Sequence, residues 1–307
     1  MGINYKRRRQ LQRRRQLPLD LMILAPLLVV IIFSYIPMAG VAIAFQNFIP
    51  AKGLFGDQKW IGLGNFEYIF KLPQAMRALK NTIVIAFFKI IFGMLAPIVV
   101  SIMLNELRKE RLKKIIQTTI YLPHFLSWVI LSGVLIDILS PSTGFVNQII
   151  TGIGFKPIFF LGDPQWFQAT IIASHVWKEF GFGTVIYLAT IVNIDPQQYE
   201  AARMDGAGRF QQIWHITLPG MRMIIVLIAV LSLGSVLTAG FDQIFNLYNP
   251  QVYETGDILD TLVYRIGMME AQFGPATAIG LFKSVVSLIF ISVSYLMAYK
   301  LADYRIF

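Results

Sequence analysis

The chain has 307 residues, of which 56% are hydrophobic and only 14% charged, and it carries a net charge of +10. Its mean hydropathy is +0.61. A soluble domain carries about 25% charged residues, so the deficit indicates a membrane protein. There is no cysteine, which excludes disulfides, thiolate metal sites and cysteine nucleophiles. His124, His175 and His215 lack metal-ligand spacing, so no metal site is expected. The basic residues cluster at the ends of apolar segments, as the positive-inside rule requires, so nucleic acid is not expected as a partner.

Crossing the hydrocarbon core takes about 20 apolar residues, and six stretches qualify: roughly 20–45, 81–104, 115–139, 168–192, 222–240 and 278–301. A basic tail over 1–19, with Lys6-Arg7-Arg8-Arg9 and Arg13-Arg14-Arg15, precedes the first and suits anionic headgroups. The first stretch has features of a signal peptide, with Ala42-Ile43-Ala44 as a cleavage site. It is longer than the apolar run of about 7–15 residues in such peptides, so it is read as an uncleaved span. The segment 46–79 carries Trp60, Phe66, Tyr68 and Phe70, which suit interfacial anchoring or ordered packing.

Between the second and third stretches lies a short basic loop, 105–114, with Arg108, Lys109, Arg111, Lys113 and Lys114. The next loop on that side carries Arg203, Arg209 and Arg222, and the C-terminus carries Lys300 and Arg305. The positive-inside rule puts these loops and both termini in the cytoplasm. The segment 241–277 falls outside, is rich in Asp and Glu, and carries Phe241, Phe245, Tyr248, Tyr253, Tyr264 and Phe273. Pro26, Pro37 and Pro97 fall inside stretches, as kinks for a gated path or as static kinks. No internal repeat suggests inverted halves.

Lys89, Asp137, Lys178, Glu179 and Lys283 fall within the apolar stretches. Charges there cost several kcal/mol (about 3 or more) and usually face a cavity or a partner. Lys89, Lys178 and Lys283 are candidates to hold the carboxylates of an acidic sugar. Alternatively Lys283 and Asp137 snorkel, while Lys178 and Glu179, adjacent on a helix, need other partners. Trp128, Trp177, Tyr187, Gln243 and Asn246 are candidates to line a sugar path by stacking and hydrogen bonding, or else packing residues.

The loop at about 193–221 is the most informative segment. Asp195-Pro196 starts a helix, since Asp caps free N–H groups and Pro suits the first position. Tyr199-Glu200-Ala201-Ala202-Arg203-Met204-Asp205-Gly206-Ala207 follows, with Gly206 and Gly208 to stop or bend the helix. Phe210, Ile213 and Trp214 share one face of a second amphipathic helix, which Leu218-Pro219 is expected to end. The residues alone fit docking into a protein cleft, or an interfacial helix without a partner.

This string closely resembles the EAA loop of binding-protein-dependent ABC importers, the coupling helix by which a membrane subunit docks into its ATPase. The match covers Glu200, Ala201, Ala202, Asp205, Gly206, Ala207, Phe210, Ile213, Leu218 and Pro219. Tyr121-Leu122-Pro123-His124-Phe125, Ser140-Pro141-Ser142-Thr143-Gly144, Trp177-Lys178-Glu179-Phe180-Gly181-Phe182, Phe241-Asp242-Gln243-Ile244-Phe245 and Asn249-Pro250 resemble the carbohydrate branch of these importers. Within it they are similar to permeases for oligosaccharides and polysaccharide fragments, including uronate-type sugars.

The resemblance implies an all-α membrane protein of about six transmembrane helices with the type I ABC importer permease fold, occupying 20–307. It implies a multi-pass subunit of a bacterial cytoplasmic membrane that forms half of a translocation path. Its partners would be a second, different permease, two ATPase copies and an extracytoplasmic solute-binding protein. No Gly-x-x-x-x-Gly-Lys-Ser/Thr loop occurs, so ATP and magnesium are expected on the ATPases, and this chain is expected to bind no cofactor. A stand-alone secondary transporter or channel would need a coupling-ion site and repeats. A membrane-bound enzyme or scaffold would need a catalytic constellation or a large soluble domain.

Overall fold

The computed structural model describes residues 5–54 and 56–302. Its helices are α1 (Tyr5–Val30), α2 (Gly64–Lys71), α3 (Pro73–Glu106), α4 (Glu110–Tyr121), α5 (Trp128–Leu139), α6 (Phe145–Gly152), α7 (Pro164–Val192) and α8 (Pro196–Met204). Then follow α9 (Arg209–Gln212), α10 (Leu218–Leu233), α11 (Phe241–Leu247), α12 (Tyr253–Gly256), α13 (Leu259–Tyr264) and α14 (Phe273–Ala302). One departure from all-α is a two-residue ribbon, β1 (Gln46–Asn47) antiparallel to β2 (Lys59–Trp60), with Gln46 opposite Trp60.

Local chemistry sets several helix starts. The Asp163 side chain accepts from the Gln165 N–H at 2.9 Å and Pro164 takes the first position of α7. Ser127 caps α5 by accepting from the Ile130 N–H at 3.3 Å. Both devices satisfy N–H groups that a helix start leaves free.

The six expected spans are not six uniform helices. Asp20–Phe45, Pro73–Glu106, Arg209–Leu233 and Phe273–Met297 are each long and apolar enough to cross a membrane. The third expected span is broken: Glu110–Phe125 and Trp128–Leu139 meet at 105°. The fourth, α7, has 29 residues but falls short in hydropathy, because it carries Ser174, His175, Lys178, Glu179 and Thr184. The fifth starts about a dozen residues earlier than expected. Leu218-Pro219 does not end a helix there. A π turn at Ile213–Thr217 gives the Leu218 N–H to the Ile213 carbonyl, and the helix continues through Pro219. This wider turn accommodates the proline ring, which would otherwise strike the carbonyl four residues back.

At the centre, α3 and α7 pack along their lengths. A Cβ on Gly181 would lie 1.9 Å from the Ile120 carbonyl oxygen, and one on Gly183 would lie 2.9 Å from Pro97. Thus α7 touches α4 on one side and α3 on the other. Ile85, Phe167, Ile171, Leu237, Ile244 and Ile258 form a core near the start of α7, and Ile98, Tyr187, Ile191 and Met221 one near its end. A third core joins α3 to α13 and α14 through Ala78, Leu262 and Ile279. The most apolar stretch of Asp20–Phe45 buries no residue in the chain, and the segment joins the rest through its end, where Ala44 is buried in the same core as Ala78, Leu262 and Ile279.

Candidate functional site: an exposed helix, a polar interior and an aromatic face

The exposed helix α8 lies beyond the C-terminal end of α7, about 43 Å from that helix's start at 1.5 Å per residue over its 29 residues. Asp195 caps it by accepting from the Gln197 N–H at 2.9 Å, with Pro196 in the first turn. Glu200, Ala201, Arg203, Met204, Asp205 and Gly206 are exposed, and Ala202 is half-buried. Gly206 stops the helix in the left-handed region at φ +82°, where glycine has no steric penalty. The turn is braced from within. The Ala207 N–H donates to the Ala202 carbonyl at 2.8 Å, and Gln212 Nε2 donates to the Ala207 carbonyl at 2.8 Å. Leu218 is half-buried against the core around Met221, and Pro219 is exposed.

The intramembrane charges are largely spoken for. Lys178 Nζ donates to the His124 carbonyl at 2.8 Å and to Glu179 Oε1 at 3.1 Å, and sits 5.5 Å above the Trp128 ring. Glu179 Oε2 lies 2.7 Å from His124 Nδ1, while the His124 ring stacks on Phe182 at 4.2 Å. Trp128 stacks on His175 at 6.3 Å. Residues 175, 178, 179 and 182 form one face of α7 that grips the broken span on both sides of its bend. Adjacent positions on a helix diverge, yet Lys178 and Glu179 meet because both long side chains converge on His124. Lys283 pairs with Asp260 on α13. Asp137 is exposed.

Lys89 differs. It is buried and donates to the Ala239 carbonyl at 2.6 Å and to Gln243 Oε1. Gln243 is also buried, and its Nε2 donates to the Ile171 carbonyl at 2.8 Å and to Ser174 Oγ at 2.9 Å. The pair ties α3, α7 and the start of α11 together. Gln243 therefore does not line an open path in this structure. Neither does Tyr187, which is 2% exposed in an apolar core. Trp177 faces an apolar groove of 1020 Å³ between α3 and α7, with Phe88, Phe92 and Phe180. Asn246 is half-buried and donates to the Asp242 carbonyl at 2.7 Å.

The sequence alone does not single out the aromatic residues of 241–277 as a site. Phe241, Phe245 and Tyr248 follow helical spacing, and that period was the available signal. Phe241 and Phe245 stack at 5.0 Å, and Phe245 meets Tyr264 edge-on at 4.8 Å. Phe241 and Tyr264 line a cavity of 600 Å³ with Val41, Asp260 and Met268. Behind them Arg265 pairs with buried Asp257, and its guanidinium lies 4.5 Å from the Tyr253 ring. Burial opposes the arginine's charge most strongly, but the hydrogen bond with Asp257, the Asp257 charge and the nearby Tyr253 and Tyr248 together outweigh it and hold the pKa above the ordinary value.

Comparison with known proteins gives this arrangement a lineage. Protein LplB of Bacillus subtilis is 41% identical over 89% of this chain and 86% of its own length. The polygalacturonan/rhamnogalacturonan transport system permease protein YteP of the same organism is 40% identical over 94% and 90%. A chain in the crystal structure of a bacterial ABC transporter involved in import of the acidic polysaccharide alginate superposes with a TM-score of 0.87, at 39% identity, covering 96% of this chain and 99% of that one. An amino acid ABC transporter at 14% identity and TM-score 0.50 shares the fold alone. Residues 89–302 match the family described as "binding-protein-dependent transport system inner membrane component", and with such relatives over nearly the whole chain, this protein belongs to that family.

Proposed function

We propose that the chain forms half of the translocation path of an ATP-driven importer for carbohydrate oligomers, acidic ones among them. The observation that carries this reading is the likeness, over nearly the full length of both chains, to a subunit of an importer of acidic polysaccharide. The name of the pectin-fragment permease YteP supports the same substrate class. A related structure is a complex with an alginate pentasaccharide-bound periplasmic protein, which supports a solute-binding protein as partner.

In this reading six membrane passages form, with the bent α4–α5 pair and the polar α7 supplying one each. Both termini and α8 face the cytoplasm. A second, different permease completes the path, and two ATPases with ATP and magnesium supply the energy. The α8 segment, with exposed Glu200, Ala201, Asp205 and Gly206 and half-buried Ala202, docks into an ATPase. Closure of the ATPases moves α8, and with it α7 and α10, provided ATP and loaded binding protein bind the two states differently. Lys178 and Lys283 are paired with carboxylates, so their substrate role would require those pairs to open. Half-buried Phe241 and Phe245, near Asn246 in sequence, offer stacking and hydrogen bonding to a passing sugar.

The test is uptake by the purified permease pair, ATPase and binding protein in proteoliposomes, across a panel of uronate and neutral oligosaccharides. ATP-dependent uptake of uronate oligomers is expected. Uptake of neutral oligomers alone would remove the acidic class, and uptake driven by an ion gradient without ATP would remove the importer reading.

A further inference from the structure

The tyrosine that precedes exposed Glu200 and Ala201 points the other way, toward α10. Tyr199 is half-buried, and its hydroxyl lies 3.0 Å from Thr217 Oγ1. Thr217 is 3% exposed and closes the π turn of Ile213–Thr217. Its hydroxyl reaches the Gln212 carbonyl at 3.5 Å, so it can donate there while accepting from Tyr199. Three residues on, a Cβ on Gly220 would lie 2.6 Å from Ile194 Cδ1. Thr217 and Gly220 thus present one face of the long helix Arg209–Leu233 to the α8 segment. The next residue, Met221, is fully buried among Ile98, Tyr187 and Ile191, the core that joins α3, α7 and α10.

We propose that the Tyr199–Thr217 hydrogen bond is the strut that transmits displacement of α8 to α10, making Tyr199 and Thr217 positioning residues for energy coupling. The inference rests on the reading that α8 docks on an ATPase. Three features carry it. The contact joins the inner side of the docking helix to a buried position, so it lies out of reach of a docked partner. It is the side-chain hydrogen bond that ties α8 to the root of α10 among the described residues. And it falls in a π turn, whose widened backbone is a common device for placing a functional side chain. Without it α8 remains joined to α10 through the 205–216 connection and the Ile194–Gly220 contact, and can rock against the membrane helices.

The test uses the assembled importer in proteoliposomes, with sugar moved per ATP hydrolysed as the readout and ATPase co-purification as the control. The variants are Tyr199→Phe, Thr217→Val, Thr217→Ser and the Tyr199→Phe/Thr217→Val double. Each isosteric single should retain the ATPase and lower the coupling ratio about fivefold, the worth of one neutral hydrogen bond. The double should be no worse than either single, because both remove the same bond. Thr217→Ser, which keeps the hydroxyl, should restore wild-type coupling. A wild-type ratio in either single, or about a 25-fold multiplied loss in the double, would overturn the strut. So would loss of the ATPase in Tyr199→Phe, since the hydroxyl would then serve attachment or folding. Failure of the unsubstituted chain to retain an ATPase would instead overturn the docking reading, and the strut with it.

Discussion

Replacing Gln243 by Leu separates a structural amide from a sugar-binding one. Gln243 is fully buried and accepts from Lys89 Nζ while donating to the Ile171 carbonyl and Ser174 Oγ. Among the described residues no carboxylate pairs with Lys89. Gln243→Leu therefore leaves a buried ammonium with the Ala239 carbonyl as its remaining acceptor. Losing a buried hydrogen bond to a charged group costs about 1.5–3 kcal/mol. At about 2–4 °C per kcal/mol, the apparent Tm of the purified complex should fall by roughly 3–12 °C. Lys89→Met orphans two buried acceptors but removes the charge, and should cost about 1–3 kcal/mol. The double Lys89→Met/Gln243→Leu replaces both partners by apolar groups of similar size and should recover most of the loss. Gln243→Leu at the wild-type Tm with a raised KM for sugar would refute the brace and return the amide to the path.

Gly181→Ala should destabilise the complex by more than about 3 kcal/mol, because its Cβ would stand 1.9 Å from the Ile120 carbonyl oxygen and two backbones must part; a thermal melt at wild-type Tm would contradict that close approach. A Cβ at Gly206 meets no atom within 4 Å, so the effect of Gly206→Val comes chiefly from the φ of +82°. It should cost about 1–2 kcal/mol and weaken ATPase co-purification roughly five- to thirtyfold, while Gly206→Asn is better tolerated. Equal retention with Val would separate the turn from docking. Orientation is tested with single cysteines, since the native chain has none. Asp257 is 3% exposed and unsuited to labelling, whereas Glu270, Arg111 and Arg209 are exposed. A membrane-impermeant thiol reagent on intact cells should label Glu270→Cys but neither Arg111→Cys nor Arg209→Cys, and the reverse pattern would invert the topology.

Membrane class and most helix positions were legible in the sequence, because apolar length is a sum over about 20 residues that tertiary contacts barely alter. The bend between Phe125 and Trp128 was not. Hydropathy averages across it, and Pro123 alone does not fix an angle. The 105° turn is held by α7 side chains that are 50 residues and more away in sequence. The length of the fifth helix was misjudged for a related reason. Pro219 reads as a stop under ordinary helical bonding, and the π turn before it changes the register.

The exposed face of α8 was legible because capping, small residues and a left-handed glycine are local properties. The interior charges were legible as cost but not as role. A lysine in an apolar stretch announces that something must compensate it, yet the compensating groups lie on other helices: Asp260 for Lys283, His124 with Glu179 for Lys178, Gln243 with the Ala239 carbonyl for Lys89. Once each is satisfied within the chain, the charge no longer demands an acidic ligand. Selectivity for an acidic oligomer, in the reading proposed above, then has to come from groups left open to the path. In this chain that favours the aromatic face of α11 and α13, and positions supplied by the second permease, over any of the three lysines.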